Sequence, residues 1–67
     1  MSPDTRNTIL QEAEFLIRTR GYAAFSYADL AERMQVTKAS IHYYFPTKED
    51  LIVVLHREYM VRFLAAL

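Results

Sequence analysis

Ala28-Asp-Leu-Ala-Glu-Arg-Met-Gln-Val-Thr-Lys-Ala-Ser-Ile-His-Tyr-Tyr-Phe-Pro-Thr-Lys48 decides how the rest of this chain reads. A short helix from Ser26 to Met34 enters the stretch, Gln35 and Val36 make a tight turn, and a second short helix runs from Thr37 to Tyr44 before Pro46 stops it. Two helices joined by so short a turn form a helix-turn-helix unit, whose second helix fits the DNA major groove. Charge agrees with that reading. There is no Asp or Glu from Arg33 through Lys48, whereas Arg33, Lys38 and Lys48 are basic.

The second helix divides cleanly on a helical wheel, where each residue advances about 100°. Thr37 is its cap. Lys38, Ala39, His42 and Tyr43 share one arc, Ile41 and Phe45 lie opposite, and Ser40 and Tyr44 flank them. Ile41 and Phe45 are therefore expected in the core. The outer arc carries a cation, a small residue, an imidazole and a phenol. Lys38 suits guanine edges or phosphate, Ala39 allows close approach to a thymine methyl, and His42 and Tyr43 can donate to phosphates or base edges. An ordinary solvated face is the plain alternative, but two exposed aromatic residues beside a lysine on so short a helix favour a partner.

Upstream, Ser26 and Asp29 form a capping box, with Leu30, Ala31 and Met34 facing inward. Ser26 has a second reading, since a helix N-terminus also suits a DNA phosphate. Gln35 is expected in a left-handed conformation where Gly is the easy choice, and Val36 is expected to pin the two helices together. A first helix from about Pro3 to Arg20 buries Ile9, Ala13, Leu16 and Ile17, and Gly21 ends it. Tyr22 and Phe25 are expected as core plugs in the connection. Downstream, Thr47 and Asp50 make a second capping box. Lys48 then sits at the wrong helix end for a cation, which a bound phosphate would explain.

From Leu51 to Leu67 a long helix is apolar on most sides, with a stripe of Leu51, Ile52, Leu55, Tyr59 and Phe63. A helix of that kind is normally buried, so part of it is expected to pack on a further domain. The charges at Arg57, Glu58 and Arg62 argue against a membrane span.

Sixty-seven residues allow one small domain. The formal net charge of zero gives no support to a nucleic-acid partner by itself, but a binding face needs only a local excess of cations. Cysteine is absent, so disulfides and thiolate metal sites are excluded. His42 and His56 lie on separate helices and make no zinc pair, and no Gly-rich phosphate loop is present. No cofactor, metal or enzymatic activity is expected. The polar N-terminal residues, among them Asp4, Arg6 and Asn7, suggest no signal peptide.

The run from Ala31 to Leu51, with Gly21-Tyr22 and Phe25-Ser26 before it, resembles the signature of the tetracycline-repressor (TetR) family of bacterial transcription regulators. The resemblance implies an all-α fold: a three-helix, homeodomain-like helix-turn-helix bundle over residues 1–47 and the start of a long fourth helix over residues 48–67. That helix would connect to an effector and dimerisation domain absent from these residues. It implies a cytoplasmic, ligand-responsive regulator, most often a repressor, that binds palindromic double-stranded DNA as a homodimer and answers to a small-molecule effector. The DNA-facing set it implies is Ser26, Tyr27, Thr37, Lys38, Ala39, Ser40, His42, Tyr43, Tyr44 and Lys48. Of these, Ser26, Tyr27, Tyr44 and Lys48 fall where the family touches the backbone. Two positions depart from the pattern: His42 stands where Tyr is usual, and Gln35 where Gly is frequent. A competing reading is a helical protein-interaction module that docks through the apolar helix of residues 51–67.

Overall fold

The computed structural model describes residues 3–66, and the side chains of residues 4–58. Helix α1 spans Pro3–Arg20, α2 Tyr27–Met34, α3 Lys38–Tyr44 and α4 Lys48–Ala66, with a single 3-10 turn at Tyr22–Ala24 between α1 and α2. No strand occurs among the described residues, so the chain is all-α.

Each helix boundary has a local chemical cause. Pro3 occupies the first position of α1, where its missing N–H costs nothing. Gly21 closes α1 with φ 85° and ψ 155°, an extended positive-φ geometry that is essentially reserved for glycine. Its amide reaches the Ile17 carbonyl at 2.8 Å. At the start of α2 the Asp29 amide donates to Ser26 Oγ (3.2 Å), and the Ser26 hydroxyl donates to Asp29 Oδ2 (2.9 Å). The carboxylate therefore meets the capping hydroxyl, not the Ser26 amide that a standard capping box engages. The second box is complete: the Asp50 amide donates to Thr47 Oγ1 (3.1 Å) and the Thr47 amide to Asp50 Oδ2 (3.2 Å).

The turn between α2 and α3 follows from Gln35, which adopts φ 58° and ψ 44°. With that one left-handed residue, the Gln35 amide reaches the Glu32 carbonyl and the Val36 amide the Ala31 carbonyl at 3.0 Å. This is the Schellman arrangement, which satisfies the last carbonyls of α2. Val36 is half-buried against the core, and Thr37 caps α3 through the Ser40 amide at 3.1 Å.

One core serves all four helices. Ile9, Leu10, Ala13 and Leu16 come from α1, Phe25 from the connection, Tyr27, Leu30 and Ala31 from α2, and Ile41 and Phe45 from α3 and its end. Leu51 and Leu55 of α4 complete it. The first turns of α4 thus belong to the same core as the three helices before it. Arg33 adds a tie between α2 and α1: its Nε donates to Glu12 and its guanidinium lies 4.2 Å above the Phe15 ring.

Tyr22 corrects an expectation. It is 43% exposed and plugs nothing. Its place on the 3-10 turn leaves the ring in solvent, where it receives the Lys48 ammonium at 4.5 Å. On α4, Ile52 and Val54 are half-buried and Val53 is 56% exposed. The expected stripe residues Tyr59 and Phe63 lie outside the described side chains.

Candidate nucleic-acid interface

Helix α3 presents the face that its sequence predicts. Ile41 is fully buried and Phe45 nearly so, which fixes the inner side. Lys38, Ala39, His42 and Tyr43 are exposed together on the outer side, Tyr43 at 67%. A phenol that open has not been recruited by the core. Tyr44 is half-buried, edge-on to Tyr43 with ring centroids 5.2 Å apart. Thr37 is exposed and donates its hydroxyl to Ser40 Oγ at 3.2 Å, so these two polar residues set the front end of α3.

His42 is more constrained than its exposure suggests. Its Nδ1 lies 3.0 Å from the Pro46 carbonyl oxygen, and its ring sits 4.6 Å from that of Tyr27. A carbonyl oxygen only accepts, so this bond assigns the proton to Nδ1. A neutral imidazole then has no donor left for DNA.

Tyr27 requires the second correction. The resemblance places it against the DNA backbone, but its residue is only 8% exposed. Its hydroxyl proton is shared between the carbonyls of Phe45 (2.9 Å) and Thr47 (2.8 Å). Burial above all, helped by the negative charges of Asp50 and Glu49 and by Tyr22, pushes its phenol up from 10.0 to about 12. Tyr27 therefore stands behind the interface and holds it. The signal was in the sequence: Tyr27, Leu30, Ala31 and Met34 have the i, i+3, i+4, i+7 spacing of one inward face.

The cations also sort differently from the sequence count. Arg33 is turned onto α1 and does not join the face of α3. Lys48 is half-buried; it donates to the Tyr22 carbonyl at 3.2 Å and lies 4.5 Å from the Tyr22 ring and 5.1 Å from the Phe25 ring. These contacts supply a structural reason for a lysine at the start of α4. Phe25, Ser26, Tyr27, His42 and Lys48 line one shallow cleft, so the start of α2, the side of α3 and the start of α4 open onto a common surface. Ser26, half-buried at its rim, is committed to Asp29 in both directions. Among the described residues no group of acidic, His or Cys side chains could hold a metal ion, and no helix is long and apolar enough to cross a membrane.

A helical core shared by α1, α2, α3 and the first turns of α4, a capped seven-residue helix and an exposed basic-aromatic face on that helix define a helix-turn-helix DNA-binding domain. The family model described as "Bacterial regulatory proteins, tetR family" matches residues 9–55, from the buried part of α1 to the last described core residue of α4. The chain belongs to that family of DNA-binding transcription regulators. No match is found among the curated proteins or the solved structures.

Proposed function

We propose that this chain reads an operator by laying α3 in the major groove, as the N-terminal domain of a ligand-responsive repressor, a domain whose core runs from α1 into the first turns of α4. The observation that carries the reading is the division of α3: Lys38, Ala39, His42 and Tyr43 are outside while Ile41 and Phe45 anchor it beneath. Lys38 contacts guanine or phosphate, Ala39 admits a base edge, and Tyr43 donates to the backbone. Thr37, Ser40, Tyr44, Ser26 and Lys48 border this contact. Residues 48–67 lead into an effector and dimerisation domain, and the homodimer sets two α3 helices about one DNA turn apart on a palindrome. A small-molecule effector alters that spacing, and the protein works in the cytoplasm.

Selection of bound sequences from a random DNA pool, followed by titration of labelled duplex, tests this. The double variant K38A/Y43A is expected to lose specific binding while keeping its helicity. Unchanged binding by that variant overturns the reading. One observation favours a second use of the molecule. Ile17, Ile52 and Leu55 line a groove between α1 and α4, with Val53 exposed on α4. That groove suits an apolar partner, and loss of such a partner on substitution of Ile52, with DNA binding intact, would separate the two uses.

A further inference from the structure

Tyr27 and His42 are linked through the turn that ends α3. The Tyr27 hydroxyl holds the carbonyls of Phe45 and Thr47, the two residues on either side of Pro46. Proline has a fixed φ and no N–H to offer. With both neighbours held, the direction of the Pro46 carbonyl is set, and it meets His42 Nδ1 at 3.0 Å. The Tyr27 ring supports the imidazole from beneath, 4.6 Å away and tilted by 53°. With the proton on Nδ1, a neutral ring carries its lone pair on Nε2. His42 is exposed, and no bond from Nε2 to a described residue occupies that lone pair.

We propose that Tyr27 is a positioning residue which, through the Phe45–Thr47 turn, fixes His42 as a hydrogen-bond acceptor toward an exocyclic amino group on a base edge, adenine N6 or cytosine N4. Phosphate oxygens, guanine O6 and guanine N7 offer only lone pairs, so a neutral His42 held this way disfavours them. The position therefore reads a base instead of steadying the backbone. The choice of DNA partner rests on α3 being the DNA-facing helix; the coupling of Tyr27 to the His42 proton does not.

Long-range proton–nitrogen correlation spectra of the free chain, with the imidazole neutral, read the proton position directly. The expected wild-type pattern is a single tautomer with Nδ1 protonated, and Y27F is expected to show a mixture. A wild-type Nε2–H tautomer, or a folded Y27F with an unchanged pattern, overturns the coupling. If Y27F does not fold, scalar coupling between the wild-type Nδ1–H and the Pro46 carbonyl carbon upholds the coupling, and its absence overturns it. The second arm uses duplexes chosen by selection, with single adenines replaced by purine or single cytosines by pyrimidinone, each lacking the amino group. One such replacement per half-site is expected to weaken wild-type binding about five- to tenfold, the scale of a good base contact, and to leave H42A unaffected. Whether the adenine or the cytosine series responds identifies the base. Tight binding with no replacement distinguishing wild type from H42A overturns the acceptor role. Absence of binding to any DNA removes the reading of α3 and the amino-group partner with it, and the spectra then judge the Tyr27–His42 coupling alone.

Discussion

The outer face of α3 and the joint behind it are built from the same residue types and put them to opposite uses. Tyr43 is 67% exposed, whereas Tyr27 is 8% exposed with its hydroxyl engaged by two carbonyls. Lys38 is exposed on α3, whereas Lys48 is half-buried over two aromatic rings and donates to a backbone carbonyl. Residue type alone therefore does not distinguish contact from support. What distinguishes them is whether the polar atoms have been satisfied within the chain. A phenol with a saturated hydroxyl has little to give to DNA, and an exposed one has its bonding capacity in reserve.

The sharpest way to break that division is to charge the inner side. Ile41 is fully buried beneath the outer face. Ile41→Asp places an unpaired carboxylate there, at a cost of several kcal/mol, comparable with the whole stability of so small a domain. The variant is expected to lose cooperative melting by circular dichroism. Retention of a wild-type transition would show that α3 is not anchored through Ile41.

The joint can be tested with pH. The Tyr27 phenol is held at about 12 in the folded chain, against 10.0 for the ordinary side chain. The neutral form is favoured by folding, so the contribution is fully present below pH 10 and is lost as pH rises from there through 12. The wild-type advantage over Y27F is expected to be constant below pH 10 and then to shrink by on the order of 2 kcal/mol. Urea denaturation of both proteins across that range measures it. Parallel curves throughout would mean that the hydroxyl carries no such share.

Lys48 lies between the two regions and sharpens the contrast. Removal of its cation–π contacts in Lys48→Ala is expected to lower stability by about 0.5–1 kcal/mol. If the same ammonium also reaches a phosphate, affinity falls evenly across DNA sequences and the salt slope drops by about one. A lower melting temperature with an unaltered salt slope would assign Lys48 wholly to the latch on Tyr22.

The interactions that sequence reading captured are local. The caps at Ser26, Thr37 and Thr47 each act three residues away, and the inside-outside split of α3 is a matter of helical period. Those features were enough to specify an all-α helix-turn-helix and the four exposed residues of α3. The contacts that sequence reading did not reach all depend on distant partners. Tyr27 finds its carbonyls 18 and 20 residues on, Arg33 its carboxylate 21 residues back, and Lys48 its carbonyl 26 residues back. Spacing along one helix carries no information about which loop will lie across from it. Tyr22 is the same case: its exposure follows from the 3-10 turn and from the lysine that settles on it.

The smallest expected effect concerns the turn that joins the two regions. Gln35 is the one non-glycine residue with positive φ among the described residues. Its Cβ is crowded in the left-handed region, at a cost on the order of 1 kcal/mol that glycine avoids. The gain is offset in part because glycine is freer in the unfolded chain. Gln35→Gly is therefore expected to stabilise the domain by roughly 0.5 kcal/mol, since the Schellman bonds use backbone atoms alone and need no glutamine side chain. If the turn only connects α2 to α3, DNA affinity stays constant while the denaturation midpoint rises. If glycine instead loosens the angle between the helices, the midpoint rises and affinity falls. The second result would place Gln35 with the supporting joint, as a residue whose strain helps hold α3 at its reading angle.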